Sequence, residues 1–113
     1  MGLFSWKTSN SKKYYKFEEM KEKLYGIGIS IYVSSKNYRT YVSNINSNEI
    51  KKIVSIGDII NDIDDINVSN NTIHEIREKI VGRFNSSVKI RFINKDGDLY
   101  EHIFIRDKEI KKL

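Results

Sequence analysis

The chain has 113 residues and a formal net charge of +5, with 39% hydrophobic and 31% charged residues. This length predicts one domain, and this composition excludes an intrinsically disordered chain. The absence of cysteine excludes disulfides, thiolate metal sites and thiol catalysis, and it favours a reducing, intracellular location. There is no apolar run of about 18 residues, so we expect neither a membrane-spanning helix nor a secretory signal.

The excess positive charge is concentrated near the N-terminus, where residues 1–25 contain six lysines and three glutamates. Residues 1–13 are polar, Ser-rich and without hydrophobic periodicity, which predicts a flexible basic tail. Residues 14–106 carry the patterns of a folded domain. Residues 107–113 predict a charged C-terminal tail.

The domain begins with strand patterns separated by a glycine turn. Residues 14–17 predict a first strand, and residues 18–23 a charged connector. The two glycines of Gly26-Ile27-Gly28-Ile29 indicate a turn with close backbone approach. The β-branched residues that follow predict a strand ending near Val33.

The middle of the chain predicts two strands with a short helix between them. Residues 39–45 predict a strand, and Asn46-Ser47-Asn48 predicts the start of a helix from Glu49 to about Val54. The Ile-rich residues 59–66 predict another strand, with a tight turn near Asp64-Asp65.

A second helix follows between residues 72 and 82. Thr72 and Glu75 have the spacing of a capping box at its start. Ile73, Ile76 and Ile80 fall at helical spacing, so one face of this helix is apolar.

The last two strands form a hairpin pattern. Val88, Ile90 and Phe92 alternate with charged residues, which is typical of a half-buried strand. The turn at residues 95–98 contains an Asp-Gly pair, and residues 99–105 predict the return strand. Six short strands with two helices predict an α+β, mainly β fold: a partly open antiparallel sandwich with helical lids.

This order of elements resembles the PDZ family over about residues 14–106. Gly26-Ile27-Gly28-Ile29 is similar to the family's Gly-hydrophobic-Gly-hydrophobic carboxylate-binding loop, and Ile56-Gly57-Asp58-Ile59-Ile60 to its Gly-Asp-x-Ile-Leu segment. Asp64-Asp65-Ile66-Asn67-Val68 stands where the family has an Asn-Gly-x-x-Val turn, with Asp65 in place of the glycine. Thr72 through Ile80 resembles its second helix, and residues 88–92 its penultimate strand. The resemblance implies a PDZ-like sandwich of five to six strands with two helices.

The resemblance also implies a protein-interaction module, a scaffold or adaptor that binds an extended peptide, a protein C-terminus, by β-augmentation. Glycines let the backbone approach a ligand and aim N–H groups at an anion such as a terminal carboxylate. Ile27 and Ile29 would also line the pocket for the terminal side chain. The implied site comprises the loop Gly26, Ile27, Gly28 and Ile29, the pairing edge Ser30, Ile31 and Tyr32, and the helical wall Ile73, Arg77 and Ile80.

Two registers compete for the first groove position of the helix. Counting back from Val88 without a gap places His74 there, where a histidine in the family favours ligands with Ser or Thr two residues before the end. The helical periodicity places Ile73 there instead, which favours an apolar ligand residue. The ungapped register would bury Arg77 in the core, so we favour Ile73.

The N-terminus suggests an alternative function. Met1-Gly2 partly matches an N-myristoylation signal, although Trp6 occupies the position where Ser or Thr is usual. With Gly2 acylated, Lys7, Lys12 and Lys13 would supply the second, electrostatic anchor on an anionic membrane surface. The alternative is a membrane-associated structural or assembly protein, peripheral at the inner face of a membrane.

Catalysis, metal binding and nucleic-acid binding have little support in the sequence. His74 and His102 are the only histidines, and neither lies in a catalytic or zinc motif. The four aspartates between residues 58 and 65 lack the spacing of a calcium loop. Outside the tail, basic residues are mixed with acidic ones, which disfavours a nucleic-acid surface. We therefore expect a cytoplasmic, non-enzymatic protein without cofactor, metal or nucleic-acid partner.

Overall fold

The structure is a computed structural model that describes residues 23–110. The predicted tail at residues 1–13 and the predicted strand at residues 14–17 lie outside the described residues. Within residues 23–110, the helices are α1 (Asn48–Lys51) and α2 (Ile73–Ile80). The strands are β1 (Tyr25–Gly26), β2 (Ile29–Val33), β3 (Thr40–Ile45), β4 (Ile59–Ile63), β5 (Ile66–Asn67), β6 (Ser87–Ile93), β7 (Leu99–Ile105) and β8 (Lys108–Glu109).

The described strands form one large sheet and one small one. The large sheet has the order β2-β3-β4-β6-β7, with β5 paired to β4, and every pairing in it is antiparallel. The small sheet pairs β1 with β8. This arrangement confirms the predicted class, a mainly β, partly open antiparallel fold with two helices.

The core lies between the large sheet and α2. The alternating residues Val88, Ile90 and Phe92 of β6 are 0–1% exposed, as their pattern predicts. Ile76 and Ile80, on the apolar face of α2, are buried in the same cluster. Burial of an Ile or Phe side chain contributes about 1.5–3 kcal/mol, so this cluster is the main source of stability.

Local signals position the two helices. Ser47 caps α1, which ends at Lys51, earlier than the predicted end near Val54. Thr72 accepts from the Glu75 N–H at 3.1 Å, and Glu75 Oε1 accepts from the Thr72 N–H at 2.8 Å. The predicted capping box is therefore present, and it defines where α2 begins.

The turn between β4 and β5 forms without glycine. Asp64 and Asp65 adopt φ values of 50° and 69°, as a tight type I′ hairpin turn requires. Asp64 Oδ1 accepts from the Lys89 N–H at 2.9 Å, and Asp65 Oδ1 lies 2.7 Å from Lys89 Nζ. The hydrogen bond and the charge of Lys89 hold the pKa of the Asp65 carboxyl below its ordinary value.

The single buried carboxylate among residues 23–110 is structural. Asp58 is 3% exposed, and its Oδ2 accepts from the Ser55 N–H at 3.2 Å and from the Tyr100 hydroxyl. Burial, followed by the hydrogen bond to Asp58, raises the pKa of Tyr100 far above its ordinary value. Asp58 therefore joins the turn before β4 to β7.

The C-terminal boundary of the folded part differs from the prediction. Residues 107–113 were expected to form a charged tail, but Lys108 and Glu109 form β8 opposite Gly26 and Tyr25. The N–H groups of Asp107 and Ile110 also donate to the carbonyls of Gly26 and Leu24. A two-residue strand has too little pattern to be visible in the sequence, and the domain extends at least to residue 110.

Candidate functional site

The strand β2 lies at one end of the large sheet, next to α2. Its one strand partner among the described residues is β3. Its other edge lies toward α2, which contacts β2. An edge strand presents main-chain groups that can pair with a further strand, so the space between this edge and α2 is the candidate groove.

Two hydrogen bonds define which residues of β2 direct their main chain into the groove. The Asn46 N–H donates to the Gly28 carbonyl at 2.8 Å, and the Ser34 N–H donates to the Arg39 carbonyl at 2.9 Å. Residues of an antiparallel strand alternate between pairing with the neighbour and facing away from it. Counting from both ends of β2 therefore gives the same outward-facing set: Ile29, Ile31 and Val33.

This alternation differs in part from the predicted pairing edge. Ile31 faces the groove edge, but Ser30 and Tyr32 direct their main-chain groups toward β3. The Tyr32 side chain is 48% exposed and stacks on Tyr41 at a centroid distance of 5.4 Å. The main-chain phase of β2 depends on its register with β3, which no local sequence pattern encodes.

The glycine loop connects β1 to β2 through a left-handed residue. Gly28 has a φ of +88°, a conformation that side-chain-bearing residues rarely adopt. The N–H groups of Ile27 and Gly28 donate to no acceptor among residues 23–110. Successive free N–H groups at such a turn form a concavity suited to an anion.

The apolar residues of the loop differ in accessibility. Ile27 is 3% exposed and belongs to the core, whereas Ile29 is half-buried against that core. Ile31, at 9%, is buried beside them. Of the two residues predicted to line the terminal pocket, Ile29 is therefore the more accessible to a ligand.

A lysine from the end of the domain lies against the loop. Lys108 pairs with Gly26 across β8 and β1. Two of its side-chain carbons, Cγ and Cε, lie 3.7 and 3.8 Å from the position that a β-carbon on Gly28 would occupy. Its ammonium is 2.7 Å from Asp107 Oδ1. No local sequence pattern marks this residue, because only the β1–β8 pairing brings it to the loop.

The helix places Ile73 and His74 in different environments. Ile73 is half-buried and packs against the core. The His74 side chain is 81% exposed, with Nε2 3.3 Å from Glu78 Oε2. Arg77 is exposed, and Ile80 is 6% exposed. Ile73 thus has the inward orientation that the helical periodicity predicts, and His74 points to solvent.

The C-terminal end of α2 lies beside the glycine loop. Gly82 and Tyr25 exchange two main-chain hydrogen bonds, at 2.9 and 3.0 Å. The Arg106 guanidinium donates to the carbonyls of Lys79 and Ile80 at 3.1 and 2.7 Å. Sequence reasoning missed Arg106, which stands just past β7 with no local motif. It fixes the wall of the groove to the sheet.

The predicted membrane-anchoring residues Gly2, Lys7, Lys12 and Lys13 lie outside the described residues. Within residues 23–110, no helix is long and apolar enough to cross a membrane. The same part of the chain has no group of three or more side chains placed to hold a metal ion.

No protein-family model and no curated protein matches the sequence. Solved structures do match. The PDZ domain of the carboxy-terminal protease from Vibrio cholerae, solved in complex with a peptide, has a TM-score of 0.66 at 20% identity. The match covers 80% of this chain and 99% of that domain.

The photosystem II D1 C-terminal processing protease has a TM-score of 0.65 at 15% identity. This match covers 79% of the present chain but only 24% of that protease. Together with the antiparallel order of the strands and the groove between β2 and α2, these similarities show that the chain has the PDZ-like fold.

Proposed function

We propose that the chain is a protein-interaction module that binds an extended peptide, ending in a free carboxylate, between β2 and α2. The observation that carries the proposal is the edge of β2, which has no strand partner among the described residues and faces a helix. In this role the protein is a scaffold or adaptor in the cytoplasm, and it performs no catalysis.

The chemistry of the groove supports strand addition. The main-chain groups of Ile29, Ile31 and Val33 would pair with an antiparallel ligand strand. The free N–H groups of Ile27 and Gly28 would donate to the terminal carboxylate, since charge-assisted hydrogen bonds are stronger than neutral ones. Apolar residues at the inner side of α2 would contact ligand side chains. Main-chain hydrogen bonds would thus provide affinity, and the side chains that line the groove would provide selectivity.

The similarity to the Vibrio cholerae domain adds support of a weaker kind. That domain was solved in complex with a peptide, and its whole length corresponds to this chain. Similarity at 20% identity establishes a shared fold but does not establish a shared ligand. The proposal therefore depends on the groove itself.

The test is binding of a random C-terminal peptide library, with each binding peptide resynthesised as its C-terminal amide. We expect amidation to weaken binding strongly, because it replaces the charged carboxylate to which the loop N–H groups would donate. Backbone NMR shifts on titration should change at residues 26–33 and 73–80 and remain unchanged in β7. Absence of binding peptides, or equal binding of acid and amide, contradicts the proposal.

The alternative, a membrane-associated assembly protein, depends on the N-terminal sequence alone. Met1-Gly2 and the lysines at positions 7, 12 and 13 favour it. Co-expression with an N-myristoyltransferase should add the mass of a myristoyl group, and the product should sediment with anionic liposomes. Gly2→Ala should abolish both results. If the wild-type chain is not myristoylated and does not sediment with liposomes, the membrane-associated alternative is contradicted, and the groove proposal is unaffected.

A further inference from the structure

Arg77 is a cation without a counter-ion in the described part of the molecule. It forms no salt bridge with any residue between 23 and 110. The residues one helical turn away are Ile73, His74, Ile80 and Val81, and none of them is acidic.

The two acidic residues of α2 are engaged elsewhere. Glu75 accepts from the Thr72 N–H at 2.8 Å in the capping box. Glu78 pairs with His74 at 3.3 Å on the solvent side. The helix thus uses its own carboxylates for its start and its outer face, and neither of them pairs with Arg77.

Arg77 lies on the stripe of α2 that borders the groove. Ile73, Arg77 and Ile80 are spaced i, i+4 and i+7, so they share one side of the helix. Ile80 is buried and Ile73 half-buried, which orients this side toward the body of the domain. The facing strand, residues 29–33, contains no charged side chain. The charge of Arg77 is therefore uncompensated across the groove.

We propose that the groove selects acidic peptides and that Arg77 binds a carboxylate side chain near the ligand's C-terminus. This inference rests on the proposed function. The end of α2 near Gly82 is bonded to Tyr25 beside the glycine loop, so Ile80 lies nearest the ligand's terminal residue. The three residues from Ile80 to Arg77 span about 4.5 Å of helix axis. At about 3.3 Å per residue of an extended ligand, the acidic residue comes one or two places before the last.

The experiment uses three pools of C-terminal heptapeptides. Each pool fixes Glu, Gln or Lys at the two positions before the last residue and randomises the rest, and binding is measured by fluorescence anisotropy. We expect the Glu pool to bind about two- to tenfold more tightly than the Gln pool at low salt. The Lys pool should bind least, and salt should reduce the differences.

Substitutions at Arg77 test whether this residue causes the preference for acidic peptides. Arg77→Gln should bring the Glu and Gln pools to equal affinity. Arg77→Glu should reverse the order of the Glu and Lys pools. Lys79→Gln, on the opposite side of Ile76 on the same helix, removes an equal charge and should keep the preference of the wild type.

The outcomes separate this inference from the proposed function. A wild type that binds all pools equally, or a preference that persists in Arg77→Gln, overturns the inference and leaves the peptide-binding groove standing. A wild type that binds no pool overturns both. A preference lost equally in Lys79→Gln and Arg77→Gln would reflect net charge, and it also contradicts a specific role for Arg77.

Discussion

Arg106 Nε donates to the carbonyl oxygen of Ile80 at 2.7 Å, across 26 residues of sequence. The same guanidinium donates to Ser86 Oγ at 3.0 Å and to the Ser87 carbonyl at 2.9 Å. It therefore ties the last turn of α2 to the start of β6. A cation at a helix C-terminus also interacts favourably with the carbonyl end of the helix dipole.

Removal of this guanidinium should loosen the helical wall. Arg106→Ala leaves the carbonyls of Lys79 and Ile80 without these donors, and we expect a loss of about 2 kcal/mol in the free energy of unfolding. Arg106→Lys should recover only part, since an ammonium lacks the planar fork. Urea denaturation measures the change, and amide hydrogen exchange should increase at the end of α2.

Arg83→Ala is the matched control for Arg106→Ala. Arg83 is exposed, and its side chain makes no hydrogen bond among the described residues, so its change should stay below about 0.5 kcal/mol. Gly82→Ala offers a second route, because its added methyl would lie 2.9 Å from Arg106 Nε. Equal stability of the Arg106→Ala and Arg83→Ala variants would contradict a stabilising role for the Arg106 guanidinium.

A comparison of Gly28→Ala with Gly97→Ala should separate the role of the glycine loop in ligand binding from the cost of backbone strain. Gly28 and Gly97 have φ values of +88° and +87°, and neither has a neighbour closer than ordinary contact to an added methyl. Alanine at either position should therefore cost about 1–2 kcal/mol of stability. Only Gly28→Ala should weaken binding of peptides ending in a free carboxylate, because only Gly28 belongs to the loop. Equal peptide affinity in both variants would exclude the loop as the binding element.

Tyr100 should make stability fall at alkaline pH. Burial and the hydrogen bond to Asp58 raise its pKa in the folded state above the ordinary value of 10.0. The protonated hydroxyl is thus favoured by folding. Its contribution is complete below pH 10, decreases as the pH rises above that value, and is lost once the pH passes the folded-state pKa.

Urea denaturation at a series of pH values from 8 to 11 measures this effect. Tyr100→Phe should be less stable than the wild type at pH 8, by about 1 kcal/mol, because Asp58 loses a donor. The difference should narrow above pH 10. Tyr38→Phe, at a residue 66% exposed, should follow the wild-type profile. A constant difference between Tyr100→Phe and wild type across this range would refute the linkage.

Lys108 should contribute to recognition of the ligand's carboxylate. Its side chain lies along Gly28, and its ammonium pairs with the half-exposed Asp107. Lys108→Gln should weaken binding of free-acid peptides more than binding of their amides. Asp107→Asn should strengthen binding of free-acid peptides, because the substitution frees the Lys108 ammonium. The measurement is the acid-to-amide affinity ratio at low and high salt. Lys36→Gln, at an exposed lysine in the β2–β3 turn, should leave the ratio unchanged.

The features predicted from the sequence are those that depend on residues close together along the chain. The capping box of Thr72 and Glu75, the burial alternation of Val88 to Phe92 and the glycine turn at residues 26–29 all depend on interactions within a few residues. Their order along the chain was enough to indicate a PDZ-like arrangement, which the structure and its similarity to solved PDZ-like domains confirm. The apolar side of α2 belongs to this group.

Tertiary structure alone decided the features that join distant residues. The bonds of Arg106 to α2 and of Tyr100 to Asp58 span 26 and 42 residues, and β8 pairs with a strand at the other end of the domain. No local pattern encodes such a contact, because its partners meet only after the chain closes. The same holds for the main-chain phase of β2, since a shift of one residue in the register with β3 would exchange Ile31 for Tyr32 at the groove edge.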